Sequence, residues 1–209
     1  MTAIPLKYVK KFYLADGHKT LLKNFSCGSK DWEEELNIYL REKALSDQNI
    51  GLSKTHLFFY GDELIGYVSL ANDSLQIYEK NKNGKDYKVP EEVAEWCKEH
   101  KKPYSTLPAS KVCRMGSSEK YQKRKGAKIY GVGPLMLAYS ALIAIDNQDS
   151  GCVFLTVDSY PEARKFYEKF GFKEVPVKDG QERKEDDNIP MFVLIKDFIK
   201  KVRPYLNTD

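Results

Sequence analysis

The run from Gly133 to Ile145, GPLMLAYSALIAI, carries no charge and is the longest apolar stretch of the chain. A membrane-spanning helix takes about 20 such residues. This run is too short for that and reads as a helix apolar on every side, buried inside the protein. Pro134 fits its first helical position, where a missing N–H costs nothing, and the helix is expected to run to about Asn147. A strongly apolar strand, CVFLTVD, follows from Cys152 to Asp158.

The rest of the chain supplies layers for that helix. PLKYVKKFYL, residues 5–14, reads as a first strand. In NFSCGSKDWEEELNIYLREKAL, Trp32, Leu36, Tyr39, Leu40 and Ala44 share one helical face. Acids crowd that helix's first turn, where they suit its dipole. THLFFYGDELIGYVSL places two β-rich runs around Gly61-Asp62, a hairpin signal. Residues 79–104 are polar and read as an insertion, in which Pro90-Glu91-Glu92 opens a helix bearing Val93, Trp96 and Cys97. Trp96 needs a surface to cover it. A strand is expected around STLPASKVCRMGS, then the basic loop EKYQKRKGAK, and MFVLIKDF as a late strand. The order is α/β, with helices covering a central sheet.

The length of 209 residues suits one domain spanning 1–209. A net charge of +4 allows an anionic ligand without requiring nucleic acid. Cys27, Cys97, Cys113 and Cys152 are scattered, as are His18, His56 and His100, so the reading is free thiols in a reducing cytoplasm and no metal. The start, MTAIPLKYVKKFY, lacks the apolar core of a signal peptide, and no membrane segment is expected.

Two stretches carry chemistry. In KIYGVGPLML, two glycines one residue apart stand at a helix start, a cradle of N–H groups for phosphate. Lys120, Lys123, Arg124, Lys125 and Lys128 precede it. The plainer reading is a tight turn beside a solvated basic loop. In EARKFYEKFGF, Phe166 and Phe170 share a helical face and read as core. Gly171 suits a helix end. Tyr167 is left over, with a hydroxyl that needs water or a partner.

Taken in order, a strand, K-x-x-G-x-G, an apolar helix, an apolar strand and A-x-x-F-Y-x-K-x-G-F resemble the GNAT superfamily of acyl-CoA N-acyltransferases, over about residues 50–195. The resemblance implies a twisted, mixed but mostly antiparallel sheet whose strands splay at an acetyl-CoA site. It implies pyrophosphate contacts from Lys128, Gly131, Val132 and Gly133. It further implies pantetheine contacts from the strand around Cys113, Arg114 and Met115, and Tyr167 as the acid that protonates the leaving thiolate. The first third, with F-x-C-G at Phe25–Gly28 and G-Y-x-S-L-A at Gly66–Ala71, is similar to GNAT toxins of toxin–antitoxin pairs. Those acetylate the amino acid on charged tRNA, which brings in tRNA, an antitoxin and a homodimer as partners.

The pattern has departures. Lys128 stands where the family has Gln or Arg, keeping the charge without the fork. Tyr121-Gln122 lies upstream of its usual place, so that either residues 123–127 are inserted or the loop changes register. Tyr160 replaces the usual Asn. Lys123, Arg124 and Lys125 serve either a polyanion such as tRNA or the coenzyme. Two further readings stay open: a GNAT enzyme acting on a protein amine or small molecule, and a non-catalytic nucleic-acid-binding module using the basic loop.

Overall fold

A computed structural model of the chain describes residues 2–3, 8–76, 91–101, 106–123, 126–127, 129–146, 151–176 and 182–206. In chain order, β1 (Thr2–Ala3) and β2 (Val9–Tyr13) precede α1 (Lys19–Leu22) and α2 (Asp31–Ile38). A π-helical turn, Tyr39–Lys43, joins α2 to α3 (Ala44–Asn49). Then come β3 (Lys54–Tyr60), β4 (Glu63–Gln76), α4 (Glu91–Glu99), β5 (Thr106–Ser117), β6 (Ile129–Tyr130) and α5 (Val132–Asp146). The chain ends with β7 (Phe154–Ser159), α6 (Arg164–Lys169), β8 (Lys173–Glu174), β9 (Ile189–Leu194) and α7 (Ile195–Leu206).

Seven strands form one sheet in the order β2-β3-β4-β5-β7-β9-β8. Every neighbouring pair is antiparallel except β5–β7, which is parallel. β1 and β6 make a separate parallel pair. Strand alternation sends successive side chains to opposite faces. Phe58, Val68, Val112, Leu155, Val157, Met191 and Val193 go to the face covered by α5 and α7. Leu57, Phe59 and Tyr67 meet Leu36, Tyr39, Leu40 and Ala44 on the other face. All of the helical stripe read from the sequence is buried there except Trp32, which is half-buried.

The opposite face continues beyond α2 and α3. Leu75, Leu107, Phe154 and Phe192 are covered by Val93 and Cys97 of α4, with Trp96 edge-on to Phe154 at 6.4 Å. The inserted helix is thus a structural layer, and it supplies the surface that Trp96 needs. The remaining parts of the insertion, 79–90 and 102–104, lie outside the described residues.

Two expectations are corrected. α5 begins at Val132, before Pro134, so the proline takes the third helical position. Its missing N–H is still one of the orphans of the first turn. The late strand stops at Leu194, and Ile195-Lys196-Asp197-Phe198 opens α7. Phe198 and Val202, four apart, lie buried against the sheet. Among the described residues no helix is long and apolar enough to cross a membrane.

Candidate active site

The site is made where β5 loses a neighbour. β5 pairs with β4 as far as Gly66↔Ser117, but with β7 only from Ala109↔Phe154 to Val112↔Val157. The divergence starts at an irregularity. Ser69 opposes Arg114 and Leu70 opposes Val112, which leaves Cys113 as an extra residue. Such a bulge bends a strand and increases its twist. From Cys113 to Ser117 the edge that faced β7 has no strand partner. Side chains take two of its carbonyls, Cys113 O from Arg114 and Ser117 O from Gln122, and the other backbone groups of that edge have no strand to pair with among the described residues.

α5 enters at this gap. Gly131 has φ +104°, a conformation that strains any residue with a Cβ. Its carbonyl accepts from Leu135 N at 3.1 Å, so Gly131 caps the helix and the N–H groups of Val132 and Gly133 point outward. At Gly133 a Cβ would stand 3.1 Å from Phe166 Cζ, so the glycine also lets α6 approach α5.

A 3-10 turn, Pro161–Ala163, leads into α6 from the other side of the gap. Here the burial expected of two aromatics is exchanged, although both line the cavity. Tyr167, read as left over, is only 6% exposed, whereas Phe166 is half-buried and lines the opening. α6 is short and follows the tighter turn, so the residue facing the sheet is Tyr167. Its ring is edge-on to Phe166 at 5.2 Å and to Phe172 at 5.4 Å. Its hydroxyl makes no hydrogen bond among the described residues. Burial, with a smaller push from Tyr160, holds the phenol well above its ordinary pKa, so it stays protonated at neutral pH.

These elements enclose a cavity of about 260 Å³. Met115, Gly116 and Ser117 come from β5, Gly133 and Met136 from α5, and Glu162, Ala163, Phe166 and Tyr167 from the segment after β7. Cys27, Trp32, Leu36 and Gln122 complete the wall. Sequence reading passed over Glu162, Trp32 and Leu36 as site residues. Gln122 is buried and its Nε2 donates to Cys27 O at 2.8 Å and Ser117 O at 2.7 Å. Tyr160, in place of the usual Asn, donates from its hydroxyl to Glu35 Oε2 at 2.7 Å. Its ring packs on Trp32 at 5.8 Å. Burial, then that bond to Glu35, pushes the Tyr160 phenol up to about 12. α2 is thereby tied to the β7–α6 connection across the gap.

The other residues expected at the site are placed as follows. Cys113 sits at the bulge, half-buried, and burial raises its thiol pKa. Arg114 turns away from the cavity, over the Tyr39 ring at 5.5 Å, and donates to the Cys113 carbonyl at 2.7 Å. In the basic loop, Lys120 pairs with Glu63 at 2.7 Å, and Tyr121 donates to the same carboxylate at 2.6 Å. Those two donors hold Glu63 below the usual carboxylate pKa. Lys123 is exposed, while Arg124, Lys125 and Lys128 lie outside the described residues.

A second cavity of about 300 Å³ lies under the other end of α5, lined by Ser53, Lys54, His56, Asn72, Ser110 and Cys152 among others. His56 is 2% exposed there, and its Nδ1 has no hydrogen-bond partner among the described residues. Burial, and then Lys11, lowers its pKa to about 4. Among the described residues no three His, Cys, Asp or Glu side chains gather where they could hold a metal ion.

Residues 110–195 match the family model described as the acetyltransferase (GNAT) domain. No curated protein matches the sequence. Among solved structures, a KacT mutant is similar with a TM-score of 0.64 at 18% identity, over 92% of this chain and 98% of that one. AtaT complexed with acetyl-methionyl-tRNAfMet has a TM-score of 0.61 at 18% identity, over 90% and 95%. A mutant AtaT toxin bound to the C-terminus of the antitoxin AtaR and acetyl-CoA has 0.60 at 15% identity, over 96% and 99%. The parting of β5 from β7, the helix that begins at the gap and the matched segment agree: the chain has the GNAT fold, and its residues 110–195 match the GNAT acetyltransferase domain.

Proposed function

We propose that the 209 residues form one catalytic domain that moves the acetyl group of acetyl-CoA directly to a primary amine, the α-amine of an aminoacyl-tRNA. The observation that carries this reading is the buried Tyr167, which lines the cavity at the gap between β5 and β7 beside the start of α5, with no hydrogen bond from its hydroxyl among the described residues.

Acetyl-CoA supplies an activated thioester, and the residues around the gap fit it. The free edge of Cys113–Ser117 offers the backbone groups that a pantetheine amide needs. N–H groups of that same edge would stabilise the charge that develops on the acetyl carbonyl oxygen. The outward N–H groups of Val132 and Gly133, with the positive end of α5, suit a pyrophosphate. Lys128 adds a cation to that loop. Tyr167 is held protonated, as a donor to a departing thiolate must be.

The acceptor follows from a likeness. AtaT, at 18% identity, has been solved with acetyl-methionyl-tRNAfMet, and with its antitoxin at 15%. An exposed Lys123 with Arg124 and Lys125 beside it gives this chain cations for tRNA phosphates. In this reading the protein acts in the cytoplasm, where charged tRNA is found, and an antitoxin restrains it. The test is to incubate the purified chain with labelled acetyl-CoA and total aminoacylated tRNA, then identify N-acetylated aminoacyl groups. Label on tRNA-bound amino acids is the expected result. Label only on a protein or polyamine acceptor would move the substrate, and no binding of acetyl-CoA would overturn the reading.

A further inference from the structure

We infer that Glu162 binds the incoming ammonium and takes the proton that the amine loses, an assignment that rests on the acetyltransferase reading above. Among the described residues the cavity has no histidine in its wall, and its ionisable lining is Cys27, Glu162 and Tyr167. Cys27 is buried, packed against Gly116. Tyr167 is kept protonated by burial and is matched to the leaving sulfur, so it cannot also accept a proton.

The nearby carboxylates are engaged elsewhere. Glu35 accepts from Tyr160 at 2.7 Å, and Glu34 from Asn37 at 2.8 Å. Asp158 pairs with Lys111 at 2.6 Å, and Glu168 with Arg164 at 2.8 Å. Glu162 makes no hydrogen bond or ion pair among the described residues. It is exposed at the rim of the cavity, and its charge reaches the Tyr160 phenol. Pro161 fixes the backbone just before it, and five residues later the same segment presents Tyr167. One short stretch therefore brings a free carboxylate and a protonated phenol to one opening, the pairing that acid–base chemistry needs.

The step balances. The bound ammonium first gives one proton to a Glu162 oxygen, which passes it to water; the freed amine lone pair then forms the C–N bond to the acetyl carbon, and the C–S bond breaks with its electrons going to sulfur. The Tyr167 proton goes to sulfur, giving a free thiol. The second proton leaving nitrogen goes to a Glu162 oxygen and then to water, and Tyr167 is reprotonated from water.

The test compares wild type, Glu162→Gln and Glu162→Asp with total aminoacylated tRNA as acceptor, from pH 6 to 9. In Glu162→Gln, kcat/KM at pH 7 should fall on the order of 10²-fold, the lower range for a positioned acid or base. The deficit should narrow as pH rises through about 7.7–8.0, where an α-amine becomes neutral unaided. Glu162→Asp should recover part of the rate, and acetyl-CoA affinity should match wild type throughout. Wild-type rates in Glu162→Gln at every pH would overturn the inference, as would an equal loss at every pH with Glu162→Asp no better. A wild-type chain that transfers no acetyl group would instead overturn the proposed function, and the role of Glu162 with it.

Discussion

The two ends of α5 cover cavities of similar size, about 260 Å³ and 300 Å³, on the same sheet. At the C-terminal end β5 and β7 remain paired, from Ala109↔Phe154 onward, and the groups exposed are side chains such as His56, Asn72 and Ser110. At the N-terminal end the bulge at Cys113 parts the strands, and backbone groups join the wall. The ionisable groups differ too. The closed end holds an imidazole driven neutral, and the open end holds an unpartnered carboxylate with a buried phenol. The lesson is that cavity volume does not mark the site. What sets the open end apart is parted strands, a helix start and a carboxylate beside a phenol in one place.

The largest effect that would break this contrast is at Tyr167. Tyr167→Phe removes one oxygen and leaves the ring packed on Phe166 and Phe172. Steady-state kinetics should show kcat lowered on the order of 10²–10⁴-fold. Acetyl-CoA affinity and Tm should stay near wild type, because in the proposed mechanism the hydroxyl acts only as the thiolate leaves. Normal turnover with a lower Tm would make Tyr167 a packing residue.

His56 sharpens the contrast from the closed end, since its effect should fall on stability and leave chemistry alone. Its folded pKa of about 4 lies below the ordinary 6.5, so the unfolded chain binds a proton that the native state refuses. Stability from this source is complete above about pH 6.5 and is lost as pH falls toward 4, roughly 3 kcal/mol in all. Urea midpoints of wild type and His56→Gln across that window should diverge in slope. Parallel slopes would remove the imidazole from the account.

Gly131 comes next. Replacing it with Val forces a branched side chain into φ +104° at the helix cap and would crowd the proposed pyrophosphate cradle. Calorimetry should show acetyl-CoA affinity weakened on the order of tenfold or more. Unchanged affinity would take this turn out of the coenzyme site. The smallest effect is expected from Lys123, Arg124 and Lys125. Changing all three to Ala should raise the KM for tRNA several-fold, roughly what the loss of a few screened phosphate contacts implies. Acetyl-CoA affinity should barely move. The reverse pattern would give the loop to the coenzyme.

Much of the open end was legible because its signals are local. Gly131 is read from a glycine pair at a helix start, the buried helix from an uncharged run, and Tyr167 from its place in A-x-x-F-Y. What escaped is set by contacts distant in sequence. The bulge at Cys113 has no composition cue, since it exists only in the register of β5 against β4. The Tyr160–Glu35 bond joins residues 125 apart. Glu162 stands out only once Glu34, Glu35, Asp158 and Glu168 are seen to be occupied. Helical spacing misjudged Phe166 and Tyr167, because α6 is a single short piece after a 3-10 turn and its inward face is set by the sheet beneath it. Trp96 signalled that its helix needed a partner, but not that Phe154 and Phe192 would be exposed without it.

The central claim, that the parted end of the sheet is where acetyl-CoA sits, is tested most directly by hydrogen–deuterium exchange with and without acetyl-CoA. Protection should appear in peptides covering 113–117, 131–135 and 162–167, and be absent from those covering 53–56 and 151–153. Protection confined to the His56 end, with 113–117 exchanging as in the free protein, would contradict the account.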